Sequence, residues 1–120
     1  MATTVANGIT INYEVHGSAG DWVVLVMGWG YGLWGWEPVV PALAERFRVI
    51  VFDNRGVGGT DKPPGPYTGE MMAGDVLGLV DALEIDRAHL VGTSGGGFYV
   101  MEAAVTKPDR VGRLVVASSP

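Results

Sequence analysis

No cysteine occurs among the 120 residues. Disulfides, thiolate zinc sites and cysteine nucleophiles are therefore excluded. Positive charge is scarce: 8 Lys and Arg stand against 13 Asp and Glu, for a net charge of −5. The basic residues never cluster, so no nucleic-acid surface is expected. Long apolar runs are missing as well, and none approaches the roughly 20 residues that span a bilayer. The opening Met1-Ala-Thr-Thr-Val-Ala-Asn7 has neither the basic stretch nor the apolar core of a secretory signal. A cytoplasmic protein without membrane contact is the expectation. Histidine is reduced to two copies, His16 and His89, and that scarcity limits the chemistry.

Glycine is abundant, at 19 residues, in a chain that is 48% hydrophobic and 18% charged. Such a composition builds a globular core rather than a disordered coil. Ile9 to Val15 alternates apolar and polar residues, the pattern of a half-buried strand. After the turn Gly17–Gly20, the valine-rich run Trp22–Met27 suits a strand covered on both faces. These first two strands are expected to form an antiparallel hairpin. Gly28–Gly35 is a loop rich in Gly and Trp, and Pro38 and Pro41 open a helix to about Phe47. Arg48–Phe52 is a second buried strand, followed by a long Gly/Pro/Asp loop from Asp53 to Pro66. Thr68 is the N-cap of a helix whose apolar face is Met72, Val76, Leu79, Val80 and Leu83. Ala88–Val91 is a third buried strand, Gly92–Gly97 a sharp turn, and Phe98–Lys107 a helix stopped by Pro108. Val111–Ala117 is a fourth strand. The alternation predicts an α/β fold: a mostly parallel sheet, helices on both faces, and an N-terminal antiparallel hairpin.

Gly92-Thr93-Ser94-Gly95-Gly96 fits the pattern G-x-S-x-G. With four serines in so glycine-rich a chain, chance alone supplies this match about one time in ten. Context makes it specific. The motif follows a buried strand and opens a helix, the setting of a nucleophile elbow. There a tight turn lifts the serine Oγ above the sheet, and glycines at 92 and 96 remove side chains that would collide. The helix start favours negative charge developing at the site. A phosphate-binding turn is the competing reading, but no Gly-Lys-Ser/Thr ending is present.

Met27-Gly-Trp-Gly30 follows the first buried strand. Acyl transfer needs two backbone N–H groups aimed at the carbonyl oxygen as it becomes an oxyanion. Gly95 would supply one and Trp29 the other. The same segment, with Asp53 downstream, imitates a dinucleotide-binding unit. Its glycines at 28, 30 and 32 place the third one position early, and the bulky tract Trp29–Trp36 leaves little room for a pyrophosphate.

Six segments in order carry a resemblance: Tyr13-Glu-Val-His-Gly17, Met27–Gly30, Val51-Phe-Asp-Asn-Arg-Gly-Val-Gly-Gly-Thr-Asp61, Val91–Gly97, Pro108–Val111 and Leu114-Val-Val-Ala-Ser118. Together they resemble the α/β-hydrolase superfamily, in its esterase and enol-lactonase branch, over nearly the whole chain. The resemblance implies a serine hydrolase of small carboxylic esters or lactones, working without a cofactor. Ser94 would be the nucleophile, with Trp29 and Gly95 as backbone oxyanion donors and Gly92 and Gly96 as elbow glycines. Two positions depart from the family: Met27 stands where His is usual, and Gly95 where a larger residue is common. Asp53 and Arg55 read as a structural ion pair or turn. Trp34, Trp36, Phe98 and Tyr99 read as core or cap packing rather than as an acyl pocket.

A serine needs a base within reach, and in this fold the order is Ser, then Asp or Glu, then His. No histidine follows Ser94. His89 lies roughly 16 Å away at the far end of the same strand, and His16 belongs to the lead-in hairpin. Glu102 is mid-helix, and Asp109 lies on the face away from the serine. Residues 1–120 are therefore expected to be the N-terminal part of a single α/β-hydrolase domain. On this expectation the fold is truncated after the strand that follows the nucleophile helix, without lid, acid or His. The final strand would present an apolar edge open to pairing. A non-catalytic ligand-binding protein or degenerate hydrolase fragment is the alternative.

Overall fold

In a computed structural model, the structure describes residues 2–118. Six strands form one sheet in the order β1-β2-β4-β3-β5-β6. They are β1 (Ala2–Ala6), β2 (Ile9–His16), β3 (Trp22–Val26), β4 (Arg48–Phe52), β5 (Ala88–Thr93) and β6 (Val111–Ala117). Strands β3 to β6 run parallel, whereas β2 is antiparallel to both β1 and β4.

The hairpin is not the expected one. Ile9–His16 pairs with Ala2–Ala6, a strand absent from the sequence reading, and not with Trp22–Val26. The cause is the two-residue turn Asn7-Gly8, both at positive φ (50° and 80°). That geometry matches strand twist and closes tight hairpins. The run Val23–Val26, buried on both faces, takes the interior of the sheet instead, between β4 and β5.

Side chains alternate along each buried strand and feed two cores. Val23 and Leu25 join Val49, Val51, Trp36 and Val40 on one face. Val24 and Val26 join Ile50, Phe52 and Leu90 on the other. The first face is covered by a 3-10 turn, Leu33–Trp36, and the short helix α1 (Val40–Ala44). The expected helix from Pro38 to Phe47 is thus shortened. Pro38 has no N–H to return to the Trp34 carbonyl, which accepts from Glu37 at 3.1 Å in a tighter turn.

The second face is covered by α2 (Gly69–Ala82) and α3 (Gly95–Thr106). Thr68 caps α2 as expected, its hydroxyl accepting from the Met71 N–H at 3.1 Å. Met72, Val76, Leu79 and Val80 are buried. At the sheet margin, β6 pairs with β5 alone among the described residues. Leu114, Val115 and Val116 are 39%, 51% and 39% exposed, so both faces of this strand are open. No helix of the described residues is long and apolar enough to cross a membrane.

Candidate active site

Strand order fixes where a site can form. The chain leaves β3 toward α1 on one face and leaves β5 toward α3 on the other. Adjacent strand ends whose loops diverge open a crevice, and ligands of open α/β sheets bind there. Ser94 lies at the end of β5 and Gly28–Trp29 just past the end of β3, so both border this crevice.

Ser94 holds φ 54° and ψ −126°. A non-glycine residue so placed carries roughly 1–3 kcal/mol of backbone strain. The strain is held from both sides. The Ser94 N–H donates to the Ala117 carbonyl at 3.1 Å, and its own carbonyl accepts from the Gly97 N–H at 3.0 Å. A Cβ at Gly92 would collide with the Gly96 carbonyl, and one at Gly96 with the Val26 carbonyl. Close backbone approach therefore requires glycine at both positions. Helix α3 starts at Gly95 rather than at Phe98, so its first N–H groups lie beside the serine.

The two predicted segments meet. A Cβ at Gly28 would stand 2.9 Å from the Gly95 nitrogen and 3.3 Å from Ser94 Oγ. The Trp29 nitrogen lies 3.7 Å from the point where a Gly95 Cβ would be. Neither the Trp29 nor the Gly95 N–H has a protein acceptor among the described residues. Beside them a cleft of about 330 Å³ is lined by Met27, Tyr31, Trp34 and Ser94 among others. A larger cavity, of about 750 Å³ around Asp21, Arg48 and His89, lies at the opposite end of the strands.

The structure divides the aromatics. Trp36 is core, as read from the sequence, but Trp34 is 58% exposed and walls the cleft. Phe98 is half exposed. Burial raises the Tyr99 phenol above its ordinary pKa.

Asp53 and Arg55 do not pair with each other. Asp53 accepts from the Leu33 N–H at 2.7 Å, the Gly59 N–H at 2.9 Å and Asn12 Nδ2 at 3.0 Å. This carboxylate is only 4% exposed and is engaged by its own loop and by β2, so it is not presented to a ribose, which argues against the dinucleotide reading. Arg55 instead forms a buried bidentate pair with Asp75 on α2, both contacts at 2.7 Å. Hydrogen bonding to Asp75 raises the Arg55 pKa, against an opposing effect of burial.

Sequence reasoning missed Asn54. It is 2% exposed and donates from Nδ2 to the Met27 carbonyl at 2.8 Å. It therefore ties the loop after β4 to the loop that carries Trp29. Neighbours in sequence give no sign of this contact, because it joins two loops from different strands. Asn54→Leu should cost about 1–3 kcal/mol, the usual loss when a buried acceptor is orphaned. Amide exchange at Gly28–Gly30 should quicken with it. An unchanged urea midpoint and unchanged exchange would show that the bond does not hold the loop.

The histidines are remote, as expected. His89 Nε2 meets Asp21 at 2.9 Å, and its Nδ1 accepts from the Arg113 N–H at 2.8 Å. With both nitrogens engaged it is structural. His16 contacts Glu14 at 3.0 Å. Among the described residues no cluster of three His, Asp or Glu could hold a metal.

A mixed, mostly parallel sheet flanked by helices, with a strained serine turn at its crevice, defines the class of open α/β folds. Residues 21–120 match the family model of the alpha/beta hydrolase fold, and the chain belongs to that family. A solved enol-lactonase from Burkholderia xenovorans is 40% identical with a TM-score of 0.90, over 94% of this chain and 45% of that one. A 2-hydroxy-6-oxo-2,4-heptadienoate hydrolase from Pseudomonas putida is 43% identical, over 93% of this chain and 42% of its own length. A soluble epoxide hydrolase from a Corynebacterium species is 38% identical, over 92% of this chain and 38% of its own. The chain thus spans less than half the length of these relatives.

Proposed function

We propose that this protein is a serine hydrolase of a small carboxylic ester or lactone, acting through an acyl-enzyme. Ser94 is the nucleophile, Gly92 and Gly96 permit its turn, and the N–H groups of Trp29 and Gly95 receive the oxyanion. The observation that carries this reading is the Ser94 turn, with φ 54° and its hydroxyl against Gly28 and the free N–H of Gly95. Ser94 Oγ would attack the carbonyl carbon while its proton passes to a base. The C–O bond to the alcohol would then break as that alcohol takes the proton. Water would release the acid by the same two steps. Residues 1–120 act as the N-terminal part of one hydrolase domain, and base and acid come from polypeptide outside them. The family's Ser, then acid, then His order supports that assignment. The similarity to an enol-lactonase supports a lactone or ester substrate, and the 330 Å³ cleft suits a small one.

A second reading is favoured by the remoteness of both histidines: a ligand-binding protein without catalysis. One labelling experiment separates the two. A fluorophosphonate, offered to the protein together with its base-bearing polypeptide, should modify one serine per chain, located at Ser94 by peptide mass. Absence of an adduct under conditions that label an ordinary serine esterase supports the binding reading.

A further inference from the structure

Gly95 occupies a position where the family often carries a larger side chain, and here nothing has collapsed into the space. A Cβ built at Gly95 would meet Gly28 Cα at 3.6 Å, Tyr99 Oη at 3.6 Å and the Trp29 nitrogen at 3.7 Å. All three are ordinary contact distances, so a methyl-sized notch remains. Its walls include a main-chain N–H and a phenol.

Tyr99 reaches this notch for a geometric reason. Helical side chains lean back toward the N-terminus and cover the residue four positions earlier. For Tyr99 that residue is Gly95. The ring packs against the core cluster of Val24, Val26 and Val100, which fixes its direction. The hydroxyl has no protein partner among the described residues. It is also not one of the buried orphan polar atoms, which are Trp36 Nε1 and Asn54 Oδ1. It therefore keeps some access to solvent, next to the Gly95 end of the serine turn.

We infer that the Tyr99 hydroxyl is a third donor to the reacting carbonyl oxygen, alongside the N–H groups of Trp29 and Gly95. The inference rests on the hydrolase reading and deepens it. A phenol whose ionisation is pushed upward stays neutral at working pH. It stabilises the oxyanion by donating a hydrogen bond, and no proton is transferred. Gly95 is glycine because any side chain there would stand between the phenol and the substrate oxygen.

Tyr99→Phe isolates the hydroxyl, since the ring and its packing remain. In the active protein, hydrolysis of p-nitrophenyl acetate should lose about 10- to 100-fold in kcat, with KM and the urea midpoint little changed. The ratio of wild-type to variant kcat should stay flat from about pH 6 to 9, because the phenol does not titrate there. Gly95→Ala should fold normally and lower kcat by a similar factor. Added to Tyr99→Phe it should cost almost nothing more, since both changes remove the same contact. Equal kcat in wild type and Tyr99→Phe overturns the inference, and so does a loss confined to KM. Absence of Ser94-dependent turnover in the otherwise wild-type protein overturns the hydrolase reading itself, and this inference with it.

Discussion

Ser94→Ala should cut kcat by roughly 10⁶-fold, the scale on which serine hydrolases lose turnover with their nucleophile. The expectation follows from geometry more than from the motif. The serine hydroxyl is the group that the strained turn holds against Gly28 and beside the free N–H of Gly95. Alanine at φ 54° keeps the strain and removes only the oxygen, so folding should be unaffected. Ser94→Gly provides the complementary result. Glycine adopts this conformation freely, at a backbone-entropy cost of roughly 0.5–1 kcal/mol. It should abolish turnover equally while relieving strain of about 1–3 kcal/mol. The expected outcome is an inactive protein about 1 kcal/mol more stable. Steady-state assays and urea titrations of the two variants measure both effects. Turnover retained by Ser94→Ala would exclude Ser94 as nucleophile.

Arg55→Ala should have the largest effect on stability. The Asp75 carboxylate is 0% exposed and depends on three donors. Two come from Arg55 at 2.7 Å, and the third is Asn7 Nδ2 at 2.9 Å. Removing the guanidinium leaves a buried charge with one amide for company, a loss of about 3–5 kcal/mol. A domain of ordinary stability has about 5–15 kcal/mol in total, so the variant should lose a large share of it. The pair links the β1–β2 turn, the loop after β4 and helix α2, so the loss should propagate to all three. The double change Arg55→Met with Asp75→Leu should recover much of the deficit, because no charge is then stranded. A cost below about 1 kcal/mol for the single change would mean that water reaches the carboxylate, contrary to its burial.

Legibility in the sequence tracked how local each cause was. The buried strands were readable because Val23–Val26 and Val49–Phe52 are continuous apolar runs. The serine turn was readable because its strand, glycines and helix are contiguous. Strand β1 was not. In Ala-Thr-Thr-Val-Ala only Ala6 is buried, so no apolar period marks it, and the informative signal was the Asn7-Gly8 turn. Nothing local marks Asp75 as buried, because its partner lies 20 positions earlier in a loop. Trp34 and Trp36 differ by two positions and by fate, one in the cleft wall and one in the core. The 3-10 turn that separates them is a product of packing around Gly35 and Pro38, which periodicity could not register.

The two halves of Trp29 answer to different demands. Its N–H borders the serine turn, whereas its indole is 70% exposed and meets Tyr67 edge-on at 6.2 Å. In the proposed role the charge-stabilising group belongs to the main chain, which nineteen of the twenty amino acids supply alike. Natural or laboratory selection can therefore exchange the indole to retune substrate range without rebuilding the chemistry. Position 29 is an evolvable handle with a single forbidden occupant, proline, the one residue that lacks the N–H.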